Sequence, residues 1–443
     1  MTWGRKSSSR GTGAAGGTQT SRGRAPRAAS ATIATLIGLA TVFGGVTPAH
    51  ADAVRDAEYW LSDYGIRDAW NTTRGAGVTI AVIDTGISSG PAEFNGAVAA
   101  GYDASGVGSP DGRTPLGQKD EKEHGSWVGS LAAGRGAGGD NGVLGAAPDA
   151  TLLSVSVGFR TSGSTVPFED QIASGIRWAV DNGADVINMS LTTNTLDWPE
   201  SWDDAFKYAF EHNVVVVAAA GNRGSGTEEV GAPATIPGVL VVGGVKRDKT
   251  ASFDASSQGI TISVAAPSEE LVGVSPDGSY VGWSGTSGAS PIVAGIVALV
   301  KAKYPDLDAG AVIDRVVKTA TPAPGQGAAI PSPIYGYGLV DARAAVTADV
   351  PAFSGTGPAE QLQEWITVHR RASATSVPVP TDTSTPTPLP PADAAARPNP
   401  FLPTSETLLY VSIPLAVLLG TGTLVMLGAI GVTRHFRRVA HRE

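Results

Sequence analysis

No cysteine occurs among the 443 residues, so disulfide bridges, thiolate metal sites and a thiol nucleophile are all excluded. Methionine is nearly as scarce, with three residues, and histidine is limited to six. Basic residues are too few to dominate: 32 Lys and Arg stand against 41 Asp and Glu, a net charge of −9. No general basic footprint is left to meet phosphates, which argues against a nucleic-acid partner. What is present suffices for a core, since 42% of the chain is apolar. Glycine (57) and proline (30) are frequent, but they are unevenly placed, so the composition does not imply disorder throughout.

The two ends differ from the rest. Residues 1–51 carry six basic residues and no acid, followed by an apolar run from Ala31 to about Val46 and then Ala49-His50-Ala51. This order predicts a secretory signal peptide cleaved before Asp52; a disordered arm with an uncleaved anchor is the alternative. Near the other end, residues 408–432 contain no charge, and Arg434, Arg437, Arg438 and Arg442 follow. About 20 apolar residues cross a bilayer and clustered arginines stay on its inner side. The stretch therefore predicts a transmembrane helix with a cytoplasmic tail at 433–443. A buried core helix is disfavoured by Gly420, Gly422, Gly428 and Gly431. The expected location is the cell membrane, single-pass, with the main body extracellular. Leaving out the six basic residues of the leader, and the four basic and one acidic of the tail, leaves 22 basic against 40 acidic residues, or −18. The exported part is thus far more acidic than the whole, which disfavours anionic partners outside the membrane.

Between Val377 and Pro403 there are nine prolines in 27 residues. Such a stretch cannot bury enough apolar surface to fold and should extend roughly 80 Å at about 3.1 Å per residue. The expected organisation is a leader (1–51), an N-terminal extension (52–76), one folded domain (77–348), a stalk (349–407), the membrane helix and the tail. Inside the domain, residues 78–83, 151–157, 186–190 and 214–219 read as buried strands, each nearly continuous in apolar residues. Helical patterns at 124–133, 169–182 and 202–213 lie between them. The alternation predicts an α/β fold with a mainly parallel sheet covered by helices on both faces. In such sheets the working residues gather at the carboxyl ends of the strands.

Of the six histidines only His124 and His212 fall within this domain. His212 ends a helical pattern, where a protonated imidazole simply complements the helix dipole. His124 opens one, in Glu123-His124-Gly125-Ser126, whose small residues permit close approach to another backbone. Asp84 follows the apolar strand and precedes Thr85-Gly86, so its carboxylate could accept an imidazole Nδ1 proton or merely cap the turn. Ser287 sits where Gly285-Thr286 runs into a helix rich in small residues. There, backbone donors and the helix dipole favour negative charge, although an ordinary N-cap serine fits the same pattern. Asn222, after Ala219-Ala220-Gly221, is either a turn residue or a second donor for an oxyanion.

Taken together, Ala81-Val82-Ile83-Asp84-Thr85-Gly86, His124-Gly125-Ser126, Ala219-Ala220-Gly221-Asn222 and Gly285-Thr286-Ser287-Gly288-Ala289-Ser290-Pro291 resemble the subtilisin-like serine peptidases. Tyr337-Gly338-Leu339-Val340-Asp341-Ala342 resembles that family's closing segment. The resemblance implies a three-layer subtilisin-like fold and an endopeptidase acting on proteins or peptides. It makes His124 the base for Ser287, Asp84 its orienting carboxylate, and Asn222 with the Ser287 backbone N–H the oxyanion donors. It makes Ser190, Leu191 and Thr192 the edge that pairs with substrate, and Ala219, Ala220 and Gly221 the lining of the primary specificity pocket. No cofactor is implied for the chemistry, and structural calcium is left open. An α/β-hydrolase would need a histidine after the nucleophile within the fold, and a zinc peptidase a His-Glu-x-x-His helix; neither occurs. A catalytically idle fold that braces a membrane complex is the non-enzymatic alternative.

The order of segments adds a second resemblance, to the mycosins, membrane-anchored subtilisin-like peptidases of type VII secretion systems in actinobacteria. It implies a membrane secretion complex as partner. Departures accompany the likeness: cysteine-bridged loops are absent, the 32 residues from Asp52 to Asp84 leave no room for a folded prodomain, Ser126 stands where the family usually has Thr, and Thr192 where it often has Gly. Gly288 replaces the usual Met after the nucleophile, which removes an oxidisable thioether. Turnover is therefore expected to survive mild peroxide; rapid inactivation under the same treatment would contradict this.

Overall fold

A computed structural model describes residues 51–158 and 163–370, with scattered positions between 415 and 431. In Thr79–Asp84 (β1) successive side chains point to opposite faces, and both faces are buried: Ile80 and Val82 join one apolar cluster, Ala81 and Ile83 the other. Val215–Ala219 repeats the pattern, with Val215 and Val217 on the first face and Val216 and Ala218 on the second. Strands apolar on both faces belong inside a parallel sheet covered twice.

The chain supplies β1, β2 (Val98–Asp103), β3 (Thr151–Ser156), β4 (Val186–Met189), β5 (Val215–Ala219), β6 (Leu240–Val245) and β7 (Ile262–Pro267) to one seven-stranded sheet. Its order is β2-β3-β1-β4-β5-β6-β7, and every neighbouring pair is parallel. β8 (Leu271–Val274) and β9 (Tyr280–Trp283) form a separate antiparallel pair. Three strands of the large sheet go beyond the four that the apolar runs predict. β2 is an edge strand with much of its length partly exposed, β6 is interrupted by Gly243-Gly244, and β7 ends in Pro267, so none reads as a long apolar run.

The helices are α1 (Ala51–Ala57), α2 (Trp60–Asp63), α3 (Ile66–Ala69), α4 (His124–Ala133), α5 (Phe168–Asp181), α6 (Glu200–Glu211), α7 (Thr286–Lys303), α8 (Ala309–Lys318), α9 (Ala342–Thr347) and α10 (Pro358–His369). Leu131 of α4 and Ile292, Ile296 and Leu299 of α7 pack with Ile80 and Val82, while Ile172 and Ile176 of α5 and Trp202 and Phe206 of α6 pack with Ala81 and Ile83. The expected three layers are therefore present. From β1 the chain crosses to the edge strand β2 and returns to β3 beside β1, then passes to β4 on the other side of β1 and moves outward through β5 and β6 to β7. The direction reverses between β1 and β4, and the crevice of such a sheet opens beyond the carboxyl ends of those strands.

Residues 52–76 pack as an extension of this body. Trp60, Leu61 and Ile66 are fully buried with Ala342 and Val346 of α9, Tyr59 Oη donates to the Glu269 carbonyl (2.8 Å), and Trp70 Nε1 donates to the Ala146 carbonyl (2.9 Å). Glu58 accepts from the Leu144 N–H and pairs with Arg55; burial pushes its carboxyl up to about 7.

The far boundary differs from expectation. Composition places the start of the stalk at 349, but α10 lies inside that range and is part of the fold. Leu362 is 0% exposed within the second apolar cluster, the Trp365 and Trp198 rings are 4.1 Å apart, and Arg370 pairs with Asp203 at 2.9 Å. Amphipathic spacing in this short helix is masked in the sequence by the proline-rich stretch that follows it. The leader up to residue 50, the stalk from 371 and the tail from 433 lie outside the described residues, as does most of 408–432. Among the described residues no helix is long and apolar enough to cross a membrane.

Leu362→Ala is expected to destabilise the folded body by about 2–4 kcal/mol through the cavity left against α6, whereas exposed Gln363→Ala should change stability by less than about 0.5 kcal/mol. Guanidinium unfolding of both variants checks this; an unchanged midpoint for Leu362→Ala would mean that α10 does not belong to the core.

Candidate active site

Asp84 is the last residue of β1, and the register of β1 against β3 and β4 fixes its carboxylate, fully buried, at the rim of the crevice. Its Oδ1 also accepts from the Thr85 N–H at 2.7 Å. His124 opens α4, and its Nδ1 lies 2.8 Å from Asp84 Oδ1 and 3.0 Å from Oδ2. Two details hold the start of α4 against β1. Thr85 Oγ1 accepts from the Gly125 N–H (2.8 Å) while donating to the Lys122 carbonyl, and a Cβ on Gly125 would stand 2.6 Å from the Gly86 carbonyl oxygen. The small residue after His124 thus permits the approach of helix and strand. Ser126 Oγ accepts from the Ser88 N–H (3.0 Å), so a hydroxyl at that position ties down the loop after β1.

Asp84 sets the electrostatics of His124. Burial in the crevice disfavours the imidazolium, but the charge of Asp84 and its hydrogen bond outweigh that cost, and the pKa lies above the usual histidine value. The bond to Asp84 also assigns the neutral tautomer, with the proton on Nδ1 and a free lone pair on Nε2. The His124 side chain keeps 24% of its surface exposed, enough to be reached from the crevice.

Ser287 is the second residue of α7, partly exposed at the helix N-terminus. A proline later in that helix explains part of its setting. Pro291 has no N–H for the carbonyl four residues back, which is that of Ser287, and the hydroxyl of Ser190 donates to this carbonyl instead (2.8 Å). Ser190 Oγ is in turn held by Asn188 Nδ2 (3.0 Å), and Asn188 Oδ1 accepts from Ser290 Oγ (2.7 Å). A buried polar chain therefore ties β4 to α7 on both sides of Ser287. Ser287 Oγ itself donates to the Ser190 carbonyl oxygen at 3.2 Å, and among the described residues no hydrogen bond joins it to His124. Catalytic hydrogen bonds are often long or unmade in a site without substrate.

Asn222 follows β5. Its Oδ1 accepts from both the N–H and the hydroxyl of Thr286 (2.8 Å each), which fixes the amide so that Nδ2 is the end left to donate. Thr286 Oγ1 also bonds the main chain of Gly221, so the turn after β5 and the start of α7 move as one piece. Leu191 is buried and offers only its backbone, Thr192 is half-buried, and Ala219, Ala220 and Gly221 are buried at the end of β5. No main-chain group of Leu191 or Thr192 is engaged in a backbone hydrogen bond with another described residue, which leaves an open edge beside Ser287. His212 lies elsewhere, capping α6 with Nδ1 2.8 Å from the Tyr208 carbonyl oxygen. Among the described residues no group of three or more His, Asp or Glu side chains is placed to hold a metal ion.

The subtilase family model matches residues 75–338, which include every residue of this constellation. The chain belongs to the subtilase family. It is 38% identical over 277 residues to subtilisin DY of Bacillus licheniformis, covering 61% of this chain and 92% of that protein, and 37% identical over 275 residues to subtilisin E of Bacillus subtilis, covering 61% and 66%. Among solved structures it is similar to MycP1 of Mycobacterium smegmatis (29% identity, TM-score 0.57, 68% of this chain and 87% of that one) and to the MycP3 protease of the type VII (ESX-3) secretion system (31%, 0.56, 69% and 90%). This subtilase is accordingly a serine endopeptidase.

Several residues that shape the subtilase site carry no clear mark in the sequence: Thr85, Asn188, Thr286 and Ser290 as positioning partners, and Trp127 and Trp283 beside His124. One signal is available for Asn188, an amide inside an apolar strand that must find partners when buried. Gly288 also gains a reason. A Cβ there would lie 2.2 Å from Leu271 Cδ1 and 3.3 Å from Trp283 Cη2, so Leu271 and Trp283 occupy the space that a larger side chain at this position would need.

Titration of His124 by NMR is expected to give a pKa above the usual 6.5. Asp84→Asn removes both raising influences and leaves burial, so the value should drop below that of a free histidine. An unchanged titration in the variant would show that Asp84 does not govern the imidazole.

Proposed function

We propose that this subtilase hydrolyses peptide bonds with Asp84, His124 and Ser287 as its catalytic triad and Asn222 as an oxyanion donor. The observation that carries the reading is the Asp84–His124 pair (2.8 Å) at the mouth of the crevice in which Ser287 occupies the start of α7. In the resting site Ser287 Oγ rests on the Ser190 carbonyl. Substrate entry along the Ser190–Thr192 edge releases it by rotation about χ1, at a cost of roughly 1 kcal/mol for one neutral hydrogen bond. The freed hydroxyl then gives its proton to His124 Nε2 as Oγ attacks the scissile carbonyl carbon.

Asp84 stabilises the resulting imidazolium and keeps the ring oriented without taking up the proton itself. Negative charge on the substrate oxygen is met by Asn222 Nδ2 and the Ser287 backbone N–H, both fixed beforehand by their neighbours. His124 returns the proton to the leaving amine, the C–N bond breaks, and an ester to Ser287 remains. Water, activated by the same imidazole, completes the cycle. Ala219 to Gly221 would line the pocket for the residue before the scissile bond, and main-chain pairing along 190–192 would supply affinity independent of side chains.

The setting is read from the ends of the chain and from likeness. A signal peptide before Asp52, a proline-rich stalk and a membrane helix at 408–432 would hold the catalytic body outside the cell with a basic tail inside. Similarity to MycP1 and MycP3 supports processing of secreted proteins beside a type VII secretion complex, with that complex as partner.

A fluorophosphonate probe is expected to label the wild type and fail on Ser287→Ala, and Asn222→Ala should lower kcat by about 10²–10³-fold with little change in KM. Absence of labelling in well-folded wild type would overturn the proteolytic role and favour a bracing function.

A further inference from the structure

Two buried carboxylates that the triad does not use close on one loop. Glu58, directly after α1, and Glu93, in the turn before β2, are each 1% exposed. Glu58 Oε1 accepts from the Leu144 N–H and Glu93 Oε1 from the Val143 N–H (3.3 Å), so the pair holds residues 135–145 from two sides. Arg55 of α1 joins them: it pairs with Glu58 (3.1 Å) and donates to the carbonyls of Asp140 (3.2 Å) and Asn141 (3.0 Å) in the same loop. A Cβ on Gly136 would stand 2.8 Å from Arg55 Nη2 and one on Gly142 2.6 Å from Glu93 Oε1, so both glycines let the loop approach the charges. Apolar anchoring is slight here. Of the described α1 side chains only Val54 is buried, whereas Trp60, Leu61 and Ile66 fix α2 and α3.

One guanidinium neutralises only one of two carboxylates. Among the described residues Arg55 is the cation paired with Glu58, and none pairs with Glu93. The other charged and titratable groups facing Glu58 are Glu93 across the loop, Arg67 of α3, which makes no ion pair with it, and Tyr280 of β9. Burial, the charge of Glu93 and a hydrogen bond to it push the Tyr280 phenol up to about 12, so that group stays neutral and supplies no balancing charge. At Glu58 burial outweighs the Leu144 N–H and both arginines, and its carboxyl is pushed up to about 7. A proton on Glu58 leaves Arg55 and Glu93 as one cation and one anion. Without it the closed cluster carries an unbalanced negative charge shut away from water.

We propose that Glu58 is a proton-controlled latch for the start of the folded body: with its proton bound, α1 stays closed on residues 135–145, and loss of that proton loosens α1 and the loop while α2 and α3 remain packed. The direction follows from the sign of the shift. Closure is strongest below 4.5, where Glu58 is neutral whether α1 is closed or open, and it weakens as pH rises, because the open form ionises first. The loss is complete once pH passes about 7, a fall of roughly 300-fold in the closing equilibrium.

Amide hydrogen exchange of the full chain reads the latch directly, because the Val143 and Leu144 N–H groups are the ones the two carboxylates hold. After correction for the faster chemical exchange at high pH, protection of these amides in wild type is expected to fall roughly 50–100-fold from pH 5 to pH 8, while amides of β5 keep theirs. Glu58→Gln, neutral at every pH, should hold the acid-side protection throughout. Glu93→Gln restores the charge balance by the other partner and should move the fall toward the ordinary carboxylate range. Protection at 143–144 that does not change with pH in wild type, or a fall that both variants leave in place, would overturn the latch. An equal fall in β5 would overturn it as well, since the whole body and not α1 would then be opening.

Discussion

Asp84 and His124 are forty residues apart in sequence, yet their side chains meet at 2.8 Å because one ends a central strand and the other begins the helix packed on it. Nearly every other feature of the crevice serves that contact or is served by it. Thr85 holds the first turn of α4 through the Gly125 N–H, and Gly125 lets helix and strand approach. The carboxylate fixes the tautomer of the ring and offsets the cost of burying its charge. Removing His124 would leave the buried Asp84 carboxylate with the Thr85 N–H alone, a more serious loss than one hydrogen bond.

The other half of the site is built from main chain and small polar groups. Pro291 leaves the Ser287 carbonyl without its helical partner, and the Ser190 hydroxyl replaces that partner, so the segment after β4 becomes part of the framework around Ser287. Through Asn188 and Ser290 the same chain returns to α7. Fully satisfied buried networks of this kind rigidify what they connect. In a sequence without cysteine, disulfides contribute nothing to this cross-linking.

Much of the site is legible in the amino-acid sequence. Asp84, His124, Asn222 and Ser287 each sit where an apolar run meets a turn or a glycine-rich helix start, and strand ends in parallel sheets are where such residues collect. Partnerships are not legible, because Thr85, Thr286 and Ser290 are ordinary residues until the sheet brings them within reach of their acceptors. Strands β2, β6 and β7 are hidden for local reasons, exposure in one case and glycine or proline in the others. Helix α10 is hidden by the proline-rich composition beyond it, although Leu362, Trp365 and Arg370 tie it to the folded body. Gly288 shows a subtler limit: the departure from the family is visible in one dimension, but its compensation by Leu271 and Trp283 depends on contacts made in three.

In the proposed mechanism a single resting geometry becomes catalytic by rotation of one hydroxyl. A crystal structure of the wild type with a peptidyl phosphonate bonded to Ser287 tests it directly. The account predicts Oγ withdrawn from the Ser190 carbonyl and His124 Nε2 within hydrogen-bond distance of it. It also predicts the phosphonyl oxygen between Asn222 Nδ2 and the Ser287 N–H, with the Asp84–His124 contact unchanged. An adduct whose phosphonyl oxygen points away from Asn222, or one in which His124 has left Asp84, would contradict it.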